Sequence, residues 1–146
     1  MQKNEITWQA GGQQGEGLES LGAILASVLS RQGYYLYGFR QFSSRIKGGH
    51  TNYKIRIATQ PVGTLNKQCD LLIALDQDTL VNEALALGEN GIILAEKAIA
   101  DFYTGKGKLL AVPFNDIAKQ YGTILQKNIV ALGCTAAIFG LGEDCF

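Results

Sequence analysis

Two short stretches concentrate the residue types that could do chemistry. The first is Gly11-Gly12-Gln13-Gln14-Gly15-Glu16-Gly17, set between a strand-like segment and a helix-like one. Glycine admits positive φ and lets a ligand approach the main chain closely. A loop that leaves a strand and opens a helix also directs free N–H groups and the positive helix end at one spot, which suits a phosphate or another anion. The spacing is neither GxGxxG nor a Walker loop with its Lys-Ser/Thr, and Glu16 would repel a phosphate. An anion site and a tight structural turn therefore both remain open for Gly11, Gly12, Gln13, Gln14, Gly15 and Gly17.

The second stretch is Ser43-Ser44-Arg45-Ile46-Lys47-Gly48-Gly49-His50, with two hydroxyls, two cations, paired glycines and the only histidine of the chain. The planar fork of Arg45 and the point charge of Lys47 both suit carboxylate or phosphate. His50 offers an acid, a base or a hydrogen-bond donor. The plainer alternative is a solvated loop whose histidine caps a strand.

Other chemistries find no support. Cys69, Cys134 and Cys145 are odd in number and form no CxxC pair, so the chain assembles neither a zinc site nor an iron–sulfur cluster, and they read as buried or idle thiols. No serine sits in a GxSxG elbow. The acidic residues are spread singly, which favours neither a glycosidase pair nor a metal cluster. Thirteen basic residues balance thirteen acidic ones without striping, so there is no electrostatic footprint for nucleic acid. No apolar run approaches the roughly 18 residues that cross a bilayer. MQKNEITWQA lacks the apolar core of a signal peptide, and the expected location is cytoplasmic.

The elements that must position these stretches read as α/β. At 146 residues, 47% apolar and 18% charged, residues 1–146 make one globular domain. Glu5 to Ala10 reads as a strand stopped by the glycine cluster, and Leu18 to Arg31 has helical periodicity with Gly33 as its stop. Tyr34 to Phe39 follows as a strand, which gives the strand–helix–strand order of a parallel unit. Arg40 to His50 is a loop. Thr51 to Thr59 alternates, with Tyr53, Ile55 and Ile57 inward and Asn52, Lys54 and Arg56 on a solvated or partner-facing side.

Asp70 to Leu75 reads as a strand covered on both faces. A helix capped by Asp76 or Asp78 then runs to Leu87, with Gly88 closing it. Gly91 to Ala95 and Lys108 to Pro113 are further strands, and helices over Asn115 to Tyr121 and Gln126 to Phe139 end the chain. The expected architecture is a three-layer α/β/α fold, Rossmann-like, with a mainly parallel sheet and helices on both faces. The last helix is apolar over most of its circumference. Gly133 and Gly140 would admit a close neighbour, so it is either wrapped by its own domain or covered by a partner.

The runs from Gly11 to Ser20, from Gly33 to Gly38 and from Phe42 to Arg56, with DLLIALDQ (Asp70 to Gln77), VPFNDIAK (Val112 to Lys119) and KNIVALGCTAAIFGL (Lys127 to Leu141), resemble the gamma-type domain of 2-oxoacid:ferredoxin oxidoreductases. The nearest likeness is to the N-terminal domain of the alpha subunit in the 2-oxoglutarate (KorA-like) branch. The resemblance covers essentially the whole chain. It implies part of an enzyme that decarboxylates a 2-oxoacid oxidatively, passes the acyl group to coenzyme A and reduces ferredoxin.

The complete enzyme would use thiamine diphosphate, magnesium, an iron–sulfur cluster and coenzyme A. None is expected to bind this chain alone, which lacks a GDG…N segment and a ferredoxin-type cysteine run. The resemblance also implies a piece of a longer chain, inactive by itself. Its partners would be thiamine-binding alpha and beta parts, with ferredoxin as acceptor of the whole enzyme. Carried onto this sequence, the candidate ligand-binding residues are Gly11, Gly12, Gln13, Gln14, Gly15, Gly17, Ser43, Ser44, Arg45, Lys47, Gly48, Gly49 and His50, with no catalytic residue and no metal ligand. A stand-alone nucleotide- or phosphate-binding module, or a purely structural subunit, is the alternative.

Overall fold

The computed structural model describes residues 4–42 and 49–146. Six strands form one sheet in the order β2-β3-β1-β4-β5-β6. In chain order they are β1 (Glu5–Gln13), β2 (Tyr35–Phe42), β3 (His50–Ala58), β4 (Cys69–Ala74), β5 (Leu87–Glu96) and β6 (Lys108–Val112). The helices are α1 (Leu18–Arg31), α2 (Gln77–Asn82), α3 (Phe114–Tyr121) and α4 (Lys127–Phe139), with short 3-10 segments at Ala84–Ala86, Lys97–Phe102, Ile124–Gln126 and Glu143–Cys145. No single helix among the described residues is long and apolar enough to cross a membrane.

β1, β4, β5 and β6 are parallel, whereas β3 runs antiparallel to both β1 and β2. The strand–helix–strand unit expected from β1, α1 and β2 therefore exists with a later strand inserted in its middle. β1 and β2 point the same way, and β3 lies between them.

Side-chain alternation sorts the two faces. Trp8, Ala10, Ile55, Ile57, Leu71 and Ile73 pack under α1, α3 and α4. Leu72, Ala74, Ile93 and Ala95 pack on the other face under Leu80 of α2, with Ala84 and Ala100. This is the expected three-layer arrangement, and it explains why β4 reads as a continuous apolar run: both of its faces are covered.

Local signals set most element ends. Asp76 caps α2 by accepting from the Thr79 N–H at 2.9 Å. Gly33, at φ 87°, closes α1, with the Tyr34 N–H bonded to Leu29 O and the Gly33 N–H to Ser30 O. Gly140, at φ 67°, closes α4 in the same way.

Five expectations are corrected. β2 does not give way to a loop at Arg40: it runs to Phe42, paired with β3. β1 does not stop at Ala10: it continues to Gln13, because β3 pairs with it throughout and β4 pairs with it as far as Gly11. β3 begins one residue early, at His50. α2 ends at Asn82, and Gly88 lies within β5 instead of closing a helix. The side of β3 read as solvated is largely covered. Asn52 is buried there, while Lys54 and Arg56 bond to the carbonyls of Lys67 and Thr64.

Arg56 also grips Glu5 with two nitrogens, at 2.8 and 2.7 Å, and Asn66 adds a third bond at 3.0 Å. The Arg56 bonds hold the Glu5 carboxyl below its ordinary value, against the opposing effect of partial burial. A carboxylate whose value is lowered on folding adds stability above the unfolded value of 4.5, and that stability drains away as the pH falls through the folded value. Urea midpoints taken from neutral to acidic pH should therefore fall less steeply for Glu5→Gln than for the parent. Parallel curves would show that the pair contributes nothing.

Candidate functional site

The two candidate stretches meet at one end of the sheet. Gln13, the last residue of β1, stands opposite His50, the first of β3. One residue on, the Gln14 N–H donates to Gly49 O at 3.0 Å. This is also the carboxyl end of β1 and β4. From there α1 leaves toward one face and α2 toward the other, which makes a switch point of the kind where open α/β sheets place ligands. Leu75, just past β4, stays against β1 through its N–H bond to Gly11 O. Ser43, Ser44, Arg45, Lys47 and Gly48 lie outside the described residues.

The glycine stretch divides in two. Gly11 and Gly12 are strand residues, and the turn itself is Gln14 to Gly17, with Gly15 and Gly17 at φ 94° and 75°. The inside of that turn holds the chain's own anion. One Glu16 carboxylate oxygen accepts from the Gln13 N–H at 2.8 Å, and the other pairs with the Lys127 ammonium at the start of α4. Gly12 makes room for it, since a Cβ there would collide with Glu16 Oε2. Asn128 holds the turn from the same helix through a bond to Gly17 O.

Glu16 thus does within the loop what an external phosphate would have done. This favours the structural reading for the loop interior. Its outer rim stays open as a cleft of ≈ 260 Å³ lined by Gln13, Gln14, Gly15, Gly17, Phe42 and Thr51. A Cβ at Gly15 would meet nothing within 4 Å.

On the α2 side lies a polar cluster that the sequence reveals only in part. Glu83, just past α2, accepts from Gln9 Nε2 of β1 at 2.6 Å and from Asn52 Nδ2 of β3 at 3.0 Å. His50 Nε2 stands 3.2 Å from the same carboxylate. Across the imidazole, Asp76 Oδ1 is 3.9 Å from His50 Nδ1 while accepting both the N–H and the hydroxyl of Thr79. Among the described residues, His50 Nδ1 and Gln9 Oε1 are buried with no hydrogen-bond partner.

Of these residues the sequence marks His50 as a candidate and Asp76 only as a helix cap. Asn52 reads from the sequence as a solvated or partner-facing residue, and Gln9 carries no signal beyond its place in a strand. Glu83 carries no local signal, because its role exists only once α2 folds over β1 and β3.

The cysteines do not fit metal or cluster ligation. They sit on different elements, and burial pushes the Cys69 thiol up to about 12, far from the thiolate a cluster needs. Burial also raises Cys134. No group of three His, Cys, Asp or Glu side chains among the described residues is arranged to hold a metal ion.

Comparison with known proteins bears on the fold and the family. The ketoisovalerate oxidoreductase subunit VorA of Methanothermobacter thermautotrophicus is 30% identical over 145 residues, a match that covers 97% of this chain and 30% of VorA. A solved keto/oxoacid ferredoxin oxidoreductase gamma subunit from Geobacter sulfurreducens superposes with a TM-score of 0.81 at 26% identity, covering 98% of this chain and 81% of that one. The 2-oxoglutarate:ferredoxin oxidoreductase of Magnetococcus marinus, solved with 2-oxoglutarate, coenzyme A and succinyl-CoA, shares the fold with a TM-score of 0.88 at 23% identity, covering 99% of this chain and 26% of that one. The chain thus spans less than a third of the VorA relative and of the Magnetococcus chain. Residues 7–145 match the family described as pyruvate ferredoxin/flavodoxin oxidoreductase, and the chain belongs to that family.

Proposed function

We propose that this chain is the gamma-type component domain of a 2-oxoacid:ferredoxin oxidoreductase, with 2-oxoglutarate as the 2-oxoacid. In this reading it docks onto the thiamine-binding parts and offers the β1/β3 end of its sheet to the coenzyme A side of their site. The observation that carries the reading is the family match over residues 7–145 in a chain that spans only a fraction of its long relatives. The geometry supports it: the described residues gather polar groups of β1, β3 and the end of α2 at a switch point. Thiamine diphosphate, magnesium and the iron–sulfur cluster then belong to the other parts, and ferredoxin to the assembled enzyme.

An exposed apolar surface supports docking. Tyr121, Leu125 and Ile129 are 81, 72 and 50% exposed around the start of α4, and that helix also carries an exposed Ile138 and an open Gly133.

Calorimetric titration of the chain with coenzyme A and, separately, with ATP tests the reading. Neither should bind tightly to the chain alone, whereas in the assembled enzyme Arg45→Ala and Lys47→Ala should raise the KM for coenzyme A about tenfold or more, at roughly 1.4 kcal/mol per tenfold. Tight ATP binding with no response to coenzyme A would replace the proposal with a stand-alone nucleotide-binding module. In the assembled enzyme, turnover of 2-oxoglutarate against ketoisovalerate decides the 2-oxoacid.

A further inference from the structure

The geometry points to Glu83 as the positioning residue of the site: it holds the His50 imidazole with Nε2–H toward itself and leaves Nδ1 as the free nitrogen facing Asp76. The deduction follows from donor and acceptor inventory. An ionised carboxylate only accepts hydrogen bonds. Gln9 and Asn52 must therefore turn their amide nitrogens toward Glu83, at 2.6 and 3.0 Å, and a neutral His50 must place its one N–H on Nε2, 3.2 Å away.

The same choice explains both unpartnered buried acceptors beside the carboxylate. Gln9 Oε1 and His50 Nδ1 are the ends left over when the donor ends are drawn to Glu83. Asp76 cannot supply a proton to Nδ1. Its Oδ1 already accepts two bonds from Thr79, and it stands 3.9 Å off. A carboxylate that fixes one imidazole nitrogen and so defines the other is a recognised way of setting a histidine's tautomer and ring plane.

The consequence reaches the loop. His50 is the first residue of β3, and Gly49 before it accepts from Gln14 of the glycine turn. By tying His50 and Asn52 of β3 to Gln9 of β1, Glu83 fixes where the basic stretch rejoins the sheet beside that turn. This extends the proposed coenzyme A role of the same end, and for its functional arm it rests on that reading.

His50 is the sole histidine, so its ring nitrogens give unambiguous signals in a ¹⁵N-labelled chain. Long-range ¹H–¹⁵N spectra of the parent should show a protonated Nε2 and a bare Nδ1, with the Nε2 proton protected from exchange. In Glu83→Ala that proton should vanish and the two nitrogens should average toward each other, while the amide spectrum stays folded. Should Glu83→Ala fail to fold, Glu83→Gln keeps the shape and should weaken the protection about tenfold, as expected for one charged acceptor made neutral. An Nδ1–H tautomer in the parent, or an unchanged imidazole in a folded variant, overturns the assignment.

In the enzyme that contains this domain, Glu83→Ala should raise the KM for coenzyme A about tenfold and leave kcat within about twofold. An unchanged KM beside a lost Nε2 proton would refute the coenzyme A reading of this end, with the role of Glu83 toward His50 intact.

Discussion

Trp8→Ala should cost about 3–5 kcal/mol, enough to bring the chain close to unfolding. Trp8 is fully buried at the centre of β1, between β3 and β4 and beneath α4. Its indole N–H reaches Thr135 Oγ1 at 3.3 Å, and that hydroxyl in turn donates to Ala131 O one turn back along α4. Alanine would leave a cavity under α4 and remove the only side-chain hydrogen bond seen between β1 and that helix among the described residues. Trp8→Phe keeps most of the apolar volume and should lose markedly less. Since Trp8 is the only tryptophan, urea unfolding must be followed by far-UV circular dichroism. A loss below about 1 kcal/mol for alanine would contradict the burial of the ring.

Gly11→Ala should be the costliest small change at the site, at about 1–3 kcal/mol from overpacking. A methyl at Gly11 would lie 2.5 Å from Thr79 Oγ1 and 2.6 Å from its Cγ2. Thr79 has no room to yield. It is fully buried, and both its N–H and its hydroxyl are spent on Asp76. Pushing it aside lifts α2, weakens the cap at Asp76 and shifts Glu83 away from Gln9, Asn52 and His50. The effect should be strongly non-additive: in a Thr79→Ala background the added methyl should cost much less. Additive losses across the four proteins of the cycle would mean that the two positions do not meet. The spectrum of the His50 ring in Gly11→Ala gives an independent check, since a lifted α2 must disturb it.

The polar cluster and the glycine turn share one construction. Each is a carboxylate, Glu83 or Glu16, that takes at least one donor from an element distant in sequence. In the turn this makes an internal anion a fixed part of the loop. In the cluster it orients the single histidine. Both carboxylates are largely covered, so their bonds face less competition from water than surface pairs do.

Periodicity, caps and turn residues make most elements legible in the sequence. The apolar spacing from Leu18 to Leu29 and the stop at Gly33 need only local physics. So do Asp76 as a cap, and the continuous apolar run of β4 that demands cover on two faces. The resemblance carried by the glycine stretch and by Ser43 to His50 is legible as well, because family motifs are strings of residues.

The order of the strands is not legible, and neither are the partners of the candidate residues. That β3 enters between β1 and β2 depends on which edges pair across dozens of residues, and no local spacing encodes it. Gly11 and Gly12 look like a turn because glycine favours one. They become strand because β3 pairs with both of them and β4 with Gly11, and those hydrogen bonds outweigh that preference. Glu16, by its charge a repeller of phosphate, proves to be the anion that the turn encloses, once Lys127 arrives from the other end of the chain. Sequence alone therefore determined most element types and the family. Only the tertiary structure decided which donors meet which carboxylates, because hydrogen bonds between distant residues are made by the packing of the sheet and not by their spacing along the chain.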